Sequence, residues 1–360
     1  MKILLLVAGG RAGIDLLQSL LDKHPSISQL PGVFYWGDFY KKIKNLKDLD
    51  LILEIFLKEY ERYFDSRLNL RERHDQLGEN KNEFYTVDKK EFKLYFKKLI
   101  NLEGGITKIN ILKFLHLAYS KISGEDLSKK KYIVINIHSL EYLNEFEEFD
   151  YEIIHTIRHP MASLSSGFKH WLDYAEGKLI SSWSIYYHFE RQFNILKKLI
   201  KINKKIHLIK LERLHNQSKE VLSKLRKEVG LEHNDTLFIS SYHGKKWWGD
   251  MLSKKYLNGL NKNFKNNIDK SLFFEKDIFL IEHYLSKFYK YYNYEKISNF
   301  KSYFIVFLNL LPLKIEMIIF KREIIKLNFR NIVYLLNFYL KRVYLFQTSD
   351  YKKVNFPSYY

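Results

Sequence analysis

Two arginines sit in contexts that suit an anion. Arg11 lies in "LLLVAGGRAGIDLLQSLLDKHP" (residues 4–25), where an apolar strand breaks at Gly9, Gly10 and Gly13 before helical spacing resumes. Free N–H groups at such a junction and the dipole of the following helix attract negative charge, and glycines let the backbone approach it. The arginine adds a forked donor set that matches phosphate or sulfate. Arg158 lies in "YEIIHTIRHPMASLSSGFKHW" (residues 151–171), at the end of a strand, with Pro160 where a helix starts and Ser166 about two turns along it. An arginine at a strand's carboxyl end and a serine on the next helix can converge on one phosphate group, at the edge where α/β sheets bind ligands. As chemistry alone, each cluster has a plain structural alternative. The first reads equally as a strand-to-helix turn, and the second as an Arg158–carboxylate pair beside an ordinary helical Ser166.

What is missing narrows the chemistry. A triphosphate-binding loop ends in Gly-Lys-Ser/Thr, whereas Gly13 is followed by Ile14 and Asp15. That removes the phosphate-bridging lysine and the hydroxyl that holds magnesium, so a metal-dependent kinase or ATPase is not expected, and no metal site is. The chain has no cysteine, which excludes disulfides, thiolate metal sites and a cysteine nucleophile. Sixty Lys and Arg against 41 Asp and Glu give a net charge of +19, which favours anionic partners such as nucleic acid, acidic lipid, glycan or a phosphorylated cofactor. The joint abundance of Lys, Asn, Ile, Tyr and Phe fits the base composition of the coding DNA equally well.

The positioning elements are legible in outline. Residues 2–8 form an apolar run of the kind expected of a strand buried on both faces, and residues 14–24 follow helical spacing until "HPSISQLPG" ends the helix. Residues 38–125 read as a helical insertion, broken by the polar "RERHDQLGENKNE". Residues 129–139, 150–160 and 204–214 read as three more strands, with a helical pattern over 181–202. Strands alternating with helices predict a central parallel sheet flanked by helices in an α/β fold, with the main domain spanning 1–299. Residues 300–360 read as a basic helical extension, in which 320–346 suits either a membrane surface or a helical pair packed on the core or on a second copy. The apolar start is too short for a secretory signal, and no apolar run reaches the ~20 residues of a membrane span. The longest, 303–320, is interrupted by Pro312, Lys314 and Glu316. A cytoplasmic location, with peripheral membrane contact through 300–360, is the expectation.

The two clusters resemble the motifs of sulfotransferases that use 3′-phosphoadenosine 5′-phosphosulfate (PAPS), a family built on a P-loop-like α/β fold. "GGRAGIDLLQSLLDKHP" is similar to their first strand–loop–helix motif. Arg158 through Ser166 is similar to their second, in which a serine follows the arginine by eight positions. A softer similarity covers residues 1–255 and includes "HLIKLERLHNQSKEVLSKLRKEVGLE". The resemblance implies that Gly10, Arg11, Ala12 and Gly13, with Ile14 and Asp15, surround the 5′-phosphosulfate, while Arg158 and Ser166 hold the 3′-phosphate. Ala12, Ile14 and Asp15 depart from the family, which places hydroxyl side chains there, so backbone amides and Arg11 carry more of the binding.

The resemblance also implies metal-free sulfuryl transfer that leaves adenosine 3′,5′-bisphosphate. Arg11 then neutralises charge on the leaving oxygen, and His138, at the end of its strand, is the candidate base for the acceptor's proton, the alternative being a carboxylate of the helical insertion that the sequence does not single out. The lysine that precedes this histidine in the family is Asn136 here. His155, inside the next strand, reads as structural. "SSYHGKKWWGDMLSK" (240–254) is similar to a cofactor-closing loop, so Lys245 or Lys246 is expected at the 3′-phosphate and Trp247 or Trp248 over the nucleotide, although two tryptophans anchoring a loop to the core fit equally. The implied acceptor is a hydroxyl, expected to be that of a carbohydrate or another cell-surface molecule. The competing readings are a P-loop nucleotide kinase and a non-catalytic basic protein that binds nucleic acid or membrane; no nucleic-acid recognition motif supports the last.

Overall fold

The computed structural model describes residues 1–174, 186–194, 198, 201–251, 255–324 and 329–348. Five parallel strands form the central sheet: β1 (Lys2–Ala8), β2 (Ile27–Val33), β3 (Tyr132–His138), β4 (Tyr151–Ile157) and β5 (Ile206–Lys210), in the order β2-β3-β1-β4-β5. Leu4 to Ala8 are at most 1% exposed, so β1 lies at the centre with both faces covered, as its unbroken apolar run requires. The chain leaves β1 toward β2 and β3 on one side and later crosses to β4 and β5 on the other. The carboxyl ends of β1, β3 and β4 therefore flank a topological switch point.

Fifteen helices surround the sheet among the described residues. They are α1 (Ile14–Leu20), α2 (Trp36–Ile43), α3 (Leu49–Glu59), α4 (Glu61–Phe64), α5 (Lys89–Leu102), α6 (Lys108–Ile122), α7 (Pro160–Tyr174), α8 (residues 186–194), α9 (Leu211–Asn216), α10 (Ser218–Val229), α11 (Glu275–Tyr284), α12 (Ser286–Tyr291), α13 (Ile305–Leu310), α14 (Lys314–Ile324) and α15 (Phe329–Thr348). The pleat sorts β1 between two cores. Leu4 and Leu6 pack with Leu17 of α1 and Leu222 and Leu225 of α10. Ile3, Leu5 and Val7 face the larger core, which gathers Phe39, Phe56, Phe92 and Leu115 of the insertion and Ile315, Ile319 and Phe346 of the C-terminal helices.

Two local expectations need correction. Helix α1 ends at Leu20 rather than His24, and the stretch read as its terminator contains strand β2, so the sheet has five strands where the sequence showed four. β2 is an edge strand with a register shift between Gln29 and Val33, where Pro31 and Gly32 sit. A proline tolerated only at such an edge masks the strand pattern. Of the helix read over 181–202, residues 181–185, 195–197 and 199–200 lie outside the described residues, as do 325–328 and 349–360 of the C-terminal extension.

Candidate functional site

The loop after β1 is built from left-handed residues: Gly10 (φ 93°), Arg11 (φ 47°) and Gly13 (φ 77°). At Gly13 a Cβ would lie 2.4 Å from Leu211 Cδ1, so that side chain would have to shift, and the φ of 77° is one that glycine adopts without strain. Arg11 carries the strain of a positive φ, about 1–2 kcal/mol for an L-residue. Three contacts hold it: Nη1 donates to Asp250 Oδ2 (3.1 Å), Nε donates to Ser166 Oγ (3.2 Å), and its carbonyl accepts from Arg158 Nη1 (3.3 Å). Upstream, Gln192 Nε2 donates to the Gly9 carbonyl (2.8 Å) and Ser163 Oγ to the Gly10 carbonyl (2.7 Å). Trans peptides turn the N–H groups of Gly10 and Arg11 away from these two side chains, and the stretch from Gly10 to Asp15 lines the adjoining cavity.

That cavity has a volume of about 480 Å³ and sits at the carboxyl edge of the sheet. The loop from Gly10 to Asp15 lines it, together with His138 from the end of β3, Arg158 from the end of β4, and Arg71, Glu72, His188, Arg191, Trp247, Asp250 and Phe264 from elsewhere in the chain. Arg158 is positioned by Asn266, whose Oδ1 accepts from its Nε (3.1 Å) and whose Nδ2 donates to Glu212 (2.7 Å). Its guanidinium lies 5.6 Å from the centre of the Phe264 ring. Burial, against the pull of Glu212 and with Arg11 nearby, lowers its pKa to about 10, so it stays charged at neutral pH.

His138 ends β3 in a left-handed conformation (φ 60°), with its N–H donated to Asn136 Oδ1 (3.1 Å). Burial, with Arg191, Arg11 and Arg71 nearby, pushes its imidazole down to about 3, so it is neutral in the free protein. Asn136 also accounts for Asp15, since Nδ2 donates to Asp15 Oδ1 (3.1 Å) and to Gln18 Oε1 (3.0 Å). Burial and Asp250 raise the Asp15 pKa. Glu72 is raised to about 8, by burial first and then by Asp15 and Asp250.

Four buried polar atoms with no hydrogen-bond partner belong to residues lining this cavity: Glu72 Oε2, His138 Nδ1, His188 Nδ1 and Arg191 Nε. His188 is informative in detail. Trp171 Nε1, a donor only, points at its Nε2 (2.8 Å), so the neutral ring carries its proton on Nδ1. A Cβ added to Gly10 would lie 3.1 Å from that nitrogen. Burial and the neighbouring arginines hold the ring near pKa 3.

The structure thus brings together Gly10 to Asp15, His138, Arg158 and Trp247, and joins Ser166 to them through Arg11 rather than through Arg158. Lys245 and Lys246 do not line the cavity. They pair with Glu83 (2.5 Å) and Glu79 (2.8 Å) on the hairpin Ser241–Tyr242/Lys245–Lys246. Trp247 Nε1 donates to the Glu72 carbonyl (2.6 Å), and Trp248 Nε1 to the Gly78 carbonyl (2.6 Å), which fastens the 240–250 loop to the insertion. His155 is fully buried in β4. Glu72, His188, Arg71, Arg191 and Asp250 escaped the sequence reading. Glu72 lies in the polar break, and no local pattern separates His188 from the other histidines among the 13.

An α/β protein with a basic, partly buried cavity at its switch point is the class that fold and site define. No protein-family model and no curated protein sequence matches the chain. Solved structures with a similar fold include the sulfotransferase domain of the Synechococcus PCC 7002 olefin synthase, at 15% identity and TM-score 0.38, covering 71% of this chain and 80% of that one. The sulfotransferase domain from the curacin biosynthetic pathway is similar at 16% identity and TM-score 0.41, covering 82% of this chain and 99% of that one. A sulfotransferase from Mycobacterium avium is similar at 11% identity and TM-score 0.37, covering 82% and 78%. Scores this low leave the chemistry to be argued from the chain's own residues.

Proposed function

We propose that this chain is a sulfotransferase that moves a sulfuryl group from PAPS to the hydroxyl of a carbohydrate or another cell-surface acceptor. The observation that carries the reading is the convergence of Arg11, Arg158 and His138, from three separate stretches, on one cavity whose lining includes four unpartnered buried polar atoms. The motif resemblance of residues 1–25 and 151–171 supports the same assignment. The loop from Gly10 to Asp15, with Arg11, would hold the 5′-phosphosulfate, and Arg158 with Ser166 the 3′-phosphate; Phe264 and Trp247 offer flat apolar faces to a base. When bound, PAPS supplies an activated sulfuryl group on a good leaving group.

The chain's own residues then do three things. Arg11 and Arg191 set fixed positive charge against the reacting anion, and arginine acts electrostatically because it does not give up its proton. His138 lines the cavity and takes the acceptor's proton at the imidazole nitrogen that carries no proton. An anion resting among the arginines offsets the charges that depress the imidazole and makes it a better base.

Calorimetry with adenosine 3′,5′-bisphosphate in a chelator tests the site. Binding persists without metal, and Arg158→Ala weakens it by about 2 kcal/mol or more, the loss of a charged hydrogen-bonding pair. Unchanged affinity overturns the site, and magnesium-dependent ATP binding in its place makes the chain a kinase. His138→Asn keeps a residue that tolerates the left-handed conformation. It leaves bisphosphate affinity near that of the unaltered chain and lowers transfer from labelled PAPS by roughly 10²–10⁴-fold; full turnover removes His138 as the base.

A further inference from the structure

We propose that α13, α14 and α15 form an interfacial platform that seats on an anionic bilayer and takes a lipid acyl chain into its groove. α15 turns an apolar stripe to solvent: Phe329, Val333, Leu336, Leu340 and Tyr344, at spacings of three or four residues, are 79, 50, 55, 62 and 69% exposed. Phe304, Val306 and Phe307 at the start of α13 are 74, 65 and 61% exposed. Contiguous apolar exposure of this kind marks a surface that meets another apolar phase. α13 is tied to α15 by Asn309 Nδ2 donating to the Val343 carbonyl (3.1 Å) and by the Tyr339 hydroxyl donating to the Leu310 carbonyl.

Beneath the stripe, Tyr186, Phe189, Met317, Phe320, Leu335 and Phe338 line an almost wholly apolar groove of about 300 Å³. Arg342, the one cation on its wall among the described residues, is only 1% exposed and makes no demand on a ligand. Its five N–H groups go to both Glu316 oxygens, to the Asn309 carbonyl and Oδ1, and to the Leu311 carbonyl. A groove in which no described polar group is unmet fits hydrocarbon.

Charge decides between occupants. Apart from the buried Arg342–Glu316 pair, residues 300–348 hold seven Lys and Arg against one Glu, in a chain of net charge +19. Two such faces repel each other, which disfavours a second copy, whereas anionic headgroups attract basic residues beside an inserted apolar face. No helix among the described residues is long and apolar enough to cross a membrane, so the contact lies in the interface. α8 lines both spaces, with Tyr186 and Phe189 on the groove and Tyr187, His188 and Arg191 on the anion cavity. A chain in the groove therefore lies one helix away from the cavity.

Co-sedimentation of the full chain tests this with vesicles of phosphatidylcholine alone and of phosphatidylcholine mixed with phosphatidylglycerol. The chain pellets with the anionic vesicles and is released by salt. Leu336→Asp/Leu340→Asp and, independently, Phe304→Asp/Phe307→Asp each lower the bound fraction about tenfold or more, with unchanged melting because the replaced side chains are exposed. Absence of binding to anionic vesicles overturns the proposal, and so does binding that both variants retain. A native dimer that these substitutions dissociate assigns the face to a second copy instead.

Discussion

Glu72 and His138 line one cavity with opposite protonation habits: the carboxyl is held up to about 8 and the imidazole down to about 3. Near neutrality both are therefore uncharged, and the arginines dominate the field that an anion meets. Above about pH 8 Glu72 ionises and adds a buried negative charge to that field. The affinity for adenosine 3′,5′-bisphosphate accordingly falls as pH rises through this range, by about an order of magnitude, and Glu72→Gln removes the fall. Calorimetry on both sides of pH 8 checks it; a Glu72→Gln profile that still falls as steeply assigns the loss to another group. Arg11, His138 and Arg158 were legible because each sits at the end of a strand inside its own short motif. Glu72 and His188 were not, because their roles come from chain segments that only the fold brings together: Trp247 donating to the Glu72 carbonyl, and Gly10 passing beside the His188 ring.

At the scale of elements, the loop after β1 is shaped by its carbonyls. Ser163 of α7 and Gln192 of α8 bind the Gly10 and Gly9 carbonyls and each other, with Gln192 Nε2 donating to Ser163 Oγ (2.6 Å). Two helices thereby fix which way the loop's N–H groups face. Gln192→Ala leaves the Gly9 carbonyl buried without its donor, at about 1–3 kcal/mol. The expected result is that loss of stability in chemical denaturation together with weaker bisphosphate binding, although Gln192 is assigned no contact with the ligand. Affinity equal to that of the unaltered chain would show that the loop keeps its shape unaided. The sheet was legible where strands are central: β1 is an unbroken apolar run after Lys2, and β3 and β4 are rich in isoleucine and almost wholly buried, because both faces are covered. β2 was not, since an edge strand carrying Ser28, Gln29 and Pro31 shows neither an unbroken apolar run nor a clean alternation.

At the scale of the whole molecule, burial sets how the chain responds to acid. Ten of the 13 histidines have pKa values lowered by burial first: His24, His74, His116, His138, His155, His159, His188, His215, His243 and His283. Seven of them are held at about 3 or about 4. Below the ordinary histidine value of about 6.5 the unfolded chain binds protons that these folded sites refuse, so stability falls with pH at ~1.4 kcal/mol per unit for each site. The fall continues until pH reaches the folded values. Buried Asp15, Asp22, Glu72 and Glu282 are shifted upward and oppose it, because each gains stability as it protonates, but four carboxyls are outnumbered by ten imidazoles. The thermal midpoint is therefore expected to drop steeply from about pH 6.5 toward pH 4. His155 isolates one contribution. It is fully buried in β4, and neither ring nitrogen has a partner. His155→Leu removes both orphaned atoms, so it should flatten the acid slope by about 1.4 kcal/mol per pH unit. Denaturant titrations of both chains across this range decide the matter. Parallel slopes would mean that the His155 ring already finds a proton in the folded state, and a midpoint insensitive to acid would mean that these histidines are not buried as neutral groups.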